Sequence, residues 1–251
     1  MSYLIAVTGK GGVGKTTLSA MLIQRLIANK KGPVLAVDAD PNSCLDAALG
    51  VSVNGTVGRA REEVREEATA AAAGGIAKRE LLEIKIAEGL TEAEGFDLIA
   101  MGRPEGSGCY CYANNVLKEI IGHIANEYPC VVLDNEAGLE NLSRRIVQNV
   151  DLLILVSDPG NAGLETLKRL HVLAREMNVK YKKLWLVVNR LRSDKFPEKA
   201  LQIKEETRAD KLIGLPDDAE IAAFAEDNKS LTGLSKRNAV VGIIDRLVKE
   251  L

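Results

Sequence analysis

Two groups of residues in this sequence have the types and the spacing to do chemistry. Gly9 to Thr16 read GKGGVGKT, an instance of G-x-x-x-x-G-K-[ST] that follows the apolar run YLIAVTG and opens a helix-like segment. Glycines there let backbone N–H groups converge on phosphate oxygens, and a helix N-terminus adds a partial positive charge. Lys15 is placed to reach the β- and γ-phosphates, and the Thr16 hydroxyl to ligate Mg²⁺. The phosphate-binding stretch is therefore expected to comprise Gly9, Lys10, Gly11, Gly12, Val13, Gly14, Lys15, Thr16 and Thr17. The second group is RPEGSGCYCYANN, Arg103 to Asn115, which sets Cys109 and Cys111 one residue apart between a glycine-rich loop and the start of a helical pattern.

A closed tetrahedral zinc site takes four ligands, and a Cys-x-Cys pair supplies at most two thiolates. His123 and His171 fall inside helical patterns without ligand spacing and read as structural. One chain thus holds half a site. A two-fold dimer would bring four thiolates together on its axis, a soft set suited to Zn²⁺ or, if the geometry flattens, Ni²⁺. A vicinal redox pair and two unrelated surface thiols are alternatives that the spacing leaves open. Cys44 and Cys130, the other two of the four cysteines, read as small apolar residues bound for burial.

Acidic and amide residues follow three further apolar runs. In VDADPNSC, Asp38 and Asp40 leave a strand on the phosphate side, where a carboxylate can hold magnesium-bound water or orient an attacking water. Capping of the following helix is the competing use. In VVLDNEAG, Asp134 resembles a Walker B aspartate, and Ala137 and Gly138 a switch whose backbone senses the γ-phosphate. Asn189 closes LWLVVNR, where its amide can pair with an adenine edge. The following Arg190-Leu191-Arg192 lacks the aspartate of N-K-x-D that accepts from guanine, which favours ATP over GTP. Pro216, in GLPDD, ends the last apolar run, where a plain turn is one reading.

Seven short apolar runs must position these residues: YLIAVTG, PVLAVDAD, FDLIAMG, CVVLDNEAG, DLLILVSDPG, LWLVVNR and KLIGLP. They read as strands buried on both faces, and amphipathic stretches such as Leu164–Met177 and Val116–Glu127 separate most of them. That order predicts an α/β, three-layer P-loop NTPase fold with a mostly parallel central sheet, its function gathered beyond the carboxyl ends of the strands. The whole chain, 1–251, reads as one ATPase domain. Residues 51–95 show no clear strand and read as a helical insertion broken at Gly74 and Gly75. The final NAVVGIIDRLVKEL carries apolar residues at helical spacing. With balanced charge and no flanking basic cluster, it reads as a closing helix on the sheet rather than a membrane-surface helix.

Composition narrows the function classes. Lys and Arg total 33 against 35 Asp and Glu, a net charge of −2, and aromatics make up 4%. Neither a strong basic field nor a stacking platform for nucleic acid is available. No leader pattern and no membrane-spanning apolar run is visible, so a cytoplasmic protein with reduced thiols is expected.

Lys10 adds a second lysine inside the phosphate loop, and KGGVGKTT resembles the deviant Walker A motif of the MinD/ParA/nitrogenase iron protein class of P-loop ATPases. That resemblance implies a nucleotide-dependent homodimer in which Lys10 reaches the partner's phosphates, Asp40 positions the nucleophile, and Asp38 acts on Mg²⁺ through water. Lys10, Lys15, Asp40 and Asp134 are then the catalytic set, with Asn189, Arg190 and Pro216 at the base. Taken together, MGRPEGSGCYCYANN, DADPNSCL and DNEAGLENLSRR resemble the carbon monoxide dehydrogenase accessory ATPases of the CooC type. The similarity runs from Tyr3 to about Pro216. It implies a maturation factor that binds Ni²⁺ or Zn²⁺ through Cys109 and Cys111 and assists nickel insertion into carbon monoxide dehydrogenase or acetyl-CoA synthase. A spatial-organising ATPase of the MinD/ParA kind and an iron–sulfur ATPase like the nitrogenase iron protein are the alternatives. Against the last, DNEAGL lacks the switch cysteine that such a bridging cluster uses.

Overall fold

A computed structural model describes residues 2–70, 78–103, 122, 124–138, 149–227 and 229–251. The first half of the chain gives β1 (Tyr3–Gly9), α1 (Lys15–Ala28), β2 (Val34–Asp38), α2 (Leu45–Leu49), α3 (Val57–Ala70), α4 (Lys78–Glu88), β3 (Thr91–Ala93) and β4 (Phe96–Ala100). The second half gives β5 (Cys130–Asp134), β6 (Asn149–Ser157), α5 (Asn161–Glu176), β7 (Lys180–Leu191), α6 (Glu198–Thr207), β8 (Lys211–Pro216), α7 (Ala219–Glu226) and α8 (Ala239–Lys249). All seven expected strands form. They lie in one eight-stranded sheet of order β3-β4-β2-β5-β1-β6-β7-β8, parallel except for β3.

The eighth strand corrects the reading of residues 51–95 as strandless. Thr91–Ala93 pairs antiparallel with Phe96–Leu98 across a turn at Glu94-Gly95, where Gly95 takes φ +85°. That conformation suits glycine in a tight hairpin. A strand of three residues is too short to show alternation. α3 and α4 pack on each other in this region, and Thr56 bridges to Ala100. Of the Val116–Glu127 segment, Ala125–Glu127 forms a 3₁₀ turn and most of the rest lies outside the described residues.

The strands are buried on both faces because helices cover both. Leu4, Ala6, Val131 and Leu133 face α3, α4, α5 and α6, while Ile5, Val7, Val132 and Ile154 face α1, α2 and α8. Alternate residues of each central strand therefore feed two separate cores, which is why the runs are continuously apolar rather than alternating. α8 buries Val240, Val241, Ile244 and Val248 against α1 and β8, so its apolar face is spent inside the protein. Among the described residues no helix is long and apolar enough to cross a membrane.

Cys130 is buried, as expected, but Cys44 is exposed. The correction has a local cause. Cys44 is the residue before α2, and the burial pattern begins one position later, at Leu45. His171 is buried on α5 and contacts the Tyr181 hydroxyl through Nε2 at 3.1 Å, a structural role. His123 lies outside the described residues.

Candidate functional site

Parallel strands β2, β5 and β1 end together, and their register fixes what meets at that edge. Asp38 lies opposite Asp134 across the β2–β5 pairing, and Asp134 lies opposite Val7 of β1. β1 runs on into the glycine loop, which enters α1 at Gly14 with φ +92°. A side chain there would be strained, and a Cβ would meet Asn189 Nδ2 at 2.5 Å. At Gly9 a Cβ would lie 2.3 Å from the Val156 carbonyl oxygen. The loop thus needs glycine at these two positions for different reasons, left-handed backbone at one and close packing on β6 at the other.

The two lysines of the loop occupy opposite environments. Lys15 is buried and its Nζ donates to the Lys10 carbonyl at 3.3 Å, folding over the loop. Burial lowers its pKa, opposed by the nearby charges of Asp134, Asp40 and Glu136. The Lys10 side chain is exposed. Thr16 and Thr17 are half-buried in the first turn of α1.

Asp134 is almost completely buried and accepts from the hydroxyls of Thr16 and Ser19, the latter at 3.0 Å. Burial pushes its carboxyl up to about 6, against the pull of those hydroxyls and of Lys15. Asp38, equally buried, is pushed up to about 7 by burial and then by the charge of Asp134. Both Asp38 oxygens already accept backbone N–H groups, Oδ1 from Asp40 and Oδ2 from Leu45, each at 3.0 Å. Asp38 therefore fixes the turn that carries Asp40 and starts α2. Asp40 itself is half-buried, and its Oδ1 accepts from the Asn42 backbone at 2.8 Å. A desolvated carboxylate held by two hydroxyls beside a phosphate loop is a hard oxygen donor set, and it fits Mg²⁺.

Behind the loop, Gly138 takes φ +93°, donates its N–H to the Gly9 carbonyl at 3.0 Å and accepts from the Thr8 hydroxyl. The segment that ends in Gly138, expected to act as a switch, is thus tied to β1. Ser19 and Thr8 carry no motif signal of their own. Ser19 could have been found from spacing, since it lies three residues after Thr16 and so on the same helix face.

Asn189 reaches the loop because β7 is irregular. Its pairing with β8 shifts register between Val188 and Leu191, and Arg190 takes φ +57°. The bulge turns Asn189 so that Nδ2 donates to the Val13 carbonyl at 2.9 Å, while Oδ1 accepts from the Arg190 backbone at 3.0 Å. Asn189, Arg190 and Pro216 line one cavity of about 350 Å³ with Gly14, Thr17 and Met21. It lies between α1 and α7, next to the phosphate loop. The residues expected at phosphate and base therefore converge on one site. Cys109 and Cys111 lie outside the described residues. Among the described residues no group of three or more His, Cys, Asp or Glu side chains could hold a metal ion.

A glycine loop feeding a helix, a buried aspartate beside it and a cavity at the next strand ends define a P-loop ATPase. The chain belongs to the CobQ/CobB/MinD/ParA nucleotide-binding domain family, whose model matches residues 4–231. It is 42% identical over 253 residues to an uncharacterized ATP-binding protein of Methanocaldococcus jannaschii, covering 99% of this chain and 98% of that one. The carbon monoxide dehydrogenase accessory protein CooC of Rhodospirillum rubrum is 34% identical over 188 residues, 70% of each chain. Among solved structures, the septum site-determining protein MinD of Pyrococcus horikoshii, in complex with Mg-ADP, shares the fold with a TM-score of 0.67 at 19% identity. That match covers 100% of this chain and 96% of the other.

Proposed function

We propose that this ATPase, acting as a single domain over residues 1–251, is a dimeric maturation factor that assists nickel insertion into carbon monoxide dehydrogenase or acetyl-CoA synthase. ATP binds with its phosphates on Gly9–Thr17 and Lys15, and its base against Asn189, Arg190 and Pro216. Thr16 holds Mg²⁺ directly, and Asp134 and Asp38 act on it through water. The MinD relative solved with Mg-ADP supports that cofactor. Bound with the nucleotide, Mg²⁺ supplies charge neutralisation at the terminal phosphates. Asp40 orients the attacking water, and the exposed Lys10 reaches the phosphates of a second copy, closing a nucleotide-dependent homodimer. Cys109 and Cys111 of the two copies then present four thiolates to Ni²⁺ or Zn²⁺ as cargo.

One observation carries the link between nucleotide and cargo. The turn after Asp40 is hydrogen-bonded to the start of the segment that bears the cysteines. Ser43 Oγ accepts from the Gly102 N–H at 3.2 Å, and the Arg103 guanidinium donates to Asn42 Oδ1. A turn that moves with the nucleotide would pull on the root of the Cys-x-Cys segment. The similarity to CooC over 70% of the chain supports the same reading.

Equilibrium dialysis against Ni²⁺ and Zn²⁺ tests it. The wild type is expected to bind one ion per dimer, and the Cys109→Ala/Cys111→Ala protein none. Equal binding by the two proteins would refute the cargo site.

A further inference from the structure

The cavity beside Asn189 contains a carboxylate that the bound base should feel. Asp218 lines it, together with Pro216 and Ile221. Guanine presents N–H donors on its Watson–Crick edge, and a carboxylate with a vacant oxygen in a base pocket would select it. Adenine presents one donor, its amino group, beside a ring acceptor that such a carboxylate would repel, so it cannot make the paired contact guanine makes. A chain that uses ATP must hold this group turned away from that edge.

Asp218 is held by two partners, one at each oxygen. Its Oδ1 accepts from the Ile221 N–H at 3.0 Å, capping α7, and its Oδ2 accepts from Asn238 Nδ2 at 3.0 Å. Asn238 is buried, and every hydrogen-bonding position of its amide is in use. The second Nδ2 hydrogen goes to Glu220 Oε2 at 2.9 Å, and Oδ1 accepts from the Val240 and Val241 N–H groups at 2.9 and 3.2 Å, capping α8. Only one orientation of the amide works, because the two carboxylates need donors and the two backbone amides need an acceptor. Glu220 is held in turn by the Ser235 N–H at 3.0 Å. The other acidic residues of this wall differ. Asp217 faces the Arg192 guanidinium at 3.8 Å, and Glu226 is exposed to solvent.

We propose that Asn238 is a specificity-determining residue: by donating to Asp218 it holds that carboxylate turned toward the α8 cap rather than the base and keeps the base pocket selective for adenine. This rests on the reading of the cavity as the seat of the base. Asn238 acts through Asp218 and is a positioning residue. It also ties the pocket to the C-terminal helix, so a change at the α8 cap is felt by the nucleotide.

The variant that separates selectivity from folding is Asn238→Ser. Serine keeps an oxygen to cap α8 but is too short to donate to Asp218 and Glu220 together. Affinities of the full chain for ATP, GTP and inorganic tripolyphosphate are measured by calorimetry with Mg²⁺ present, for wild type, Asn238→Ser and Asn238→Ser/Asp218→Asn. The preference for ATP over GTP is expected to fall about tenfold in Asn238→Ser, the size of one charge-assisted hydrogen bond. Tripolyphosphate affinity should hold, and the added Asp218→Asn should restore most of the preference. An unchanged ATP:GTP ratio in a folded Asn238→Ser protein overturns the proposal, as does an equal loss for tripolyphosphate. A wild type that binds ATP no better than tripolyphosphate overturns the pocket reading itself, and the proposal with it.

Discussion

Lys10 and Lys15 sit five residues apart in one loop, yet one is exposed and the other folded inward. On the proposed function, a lysine packed over its own loop serves that loop's nucleotide. An exposed one is available to another copy. On the proposed dimer, Lys10→Ala keeps a folded, nucleotide-binding monomer but loses dimerisation with a non-hydrolysable ATP analogue, read by light scattering. Its hydrolysis should fall by about 10³-fold or more, the scale of a charge supplied in trans. Asp38 and Asp134 support a second expectation. Burial raises both carboxyls above the ordinary range, with the charge of Asp134 adding at Asp38 and that of Asp40 at Asp134, so the folded state holds a proton that the unfolded chain has released. Stability from this pair is present at acid pH and is lost as pH rises through about 6 to 7. The melting temperature of the nucleotide-free protein should drop between pH 5 and pH 8, and Asp134→Asn should flatten that slope. A slope unchanged in the variant would place the titration elsewhere. The phosphate loop and Asp134 were legible in the sequence because phosphate chemistry imposes their spacing. The exposure of Cys44 was not, because its apolar neighbour Leu45 says nothing about which side of a helix start faces water.

At the scale of elements, seven strands could be read from apolar runs because helices on both faces make each run continuous. What escaped were irregularities. β3 is a three-residue partner strand, and the bulge in β7 depends on Arg190 adopting a left-handed backbone that no arginine advertises. Yet that bulge aims Asn189. Arg190→Gly should therefore be tolerated and raise stability by about 1 kcal/mol, since glycine removes the left-handed penalty, whereas Arg190→Val should weaken ATP binding by disturbing Asn189. Chemical denaturation and nucleotide titration of the pair check both. The C-terminal helix makes a simpler case. Ile244 is fully buried between α8 and α1, and Ile244→Ala should cost about 2–5 kcal/mol. A cost below about 0.5 kcal/mol, the range of surface substitutions, would mean that α8 does not close the core.

Across the whole molecule, the fold connects the phosphate end of β2 to the start of the segment that carries Cys109 and Cys111. The nucleotide end of β2 leads through Asp40 into a turn. Asn42 and Ser43 of that turn hold Arg103 and Gly102, just past the end of β4. β2 and β4 are neighbours in the sheet, and the Met101 N–H donates to the Asp38 carbonyl at 2.8 Å. The path from the buried aspartate to Arg103, where the cysteine-bearing segment begins, is therefore a few hydrogen-bonded residues on and just past adjacent strands. On the proposed function, a non-hydrolysable ATP analogue changes the rate at which Cys109 and Cys111 are alkylated. Arg103→Ala should remove most of that nucleotide effect while leaving ATP affinity within about twofold, because the guanidinium touches the turn and not the phosphate loop. The measurement is mass spectrometry of cysteine alkylation in wild type and Arg103→Ala, each with ADP and with the analogue. If the analogue changes alkylation equally in both proteins, the signal does not pass through Arg103.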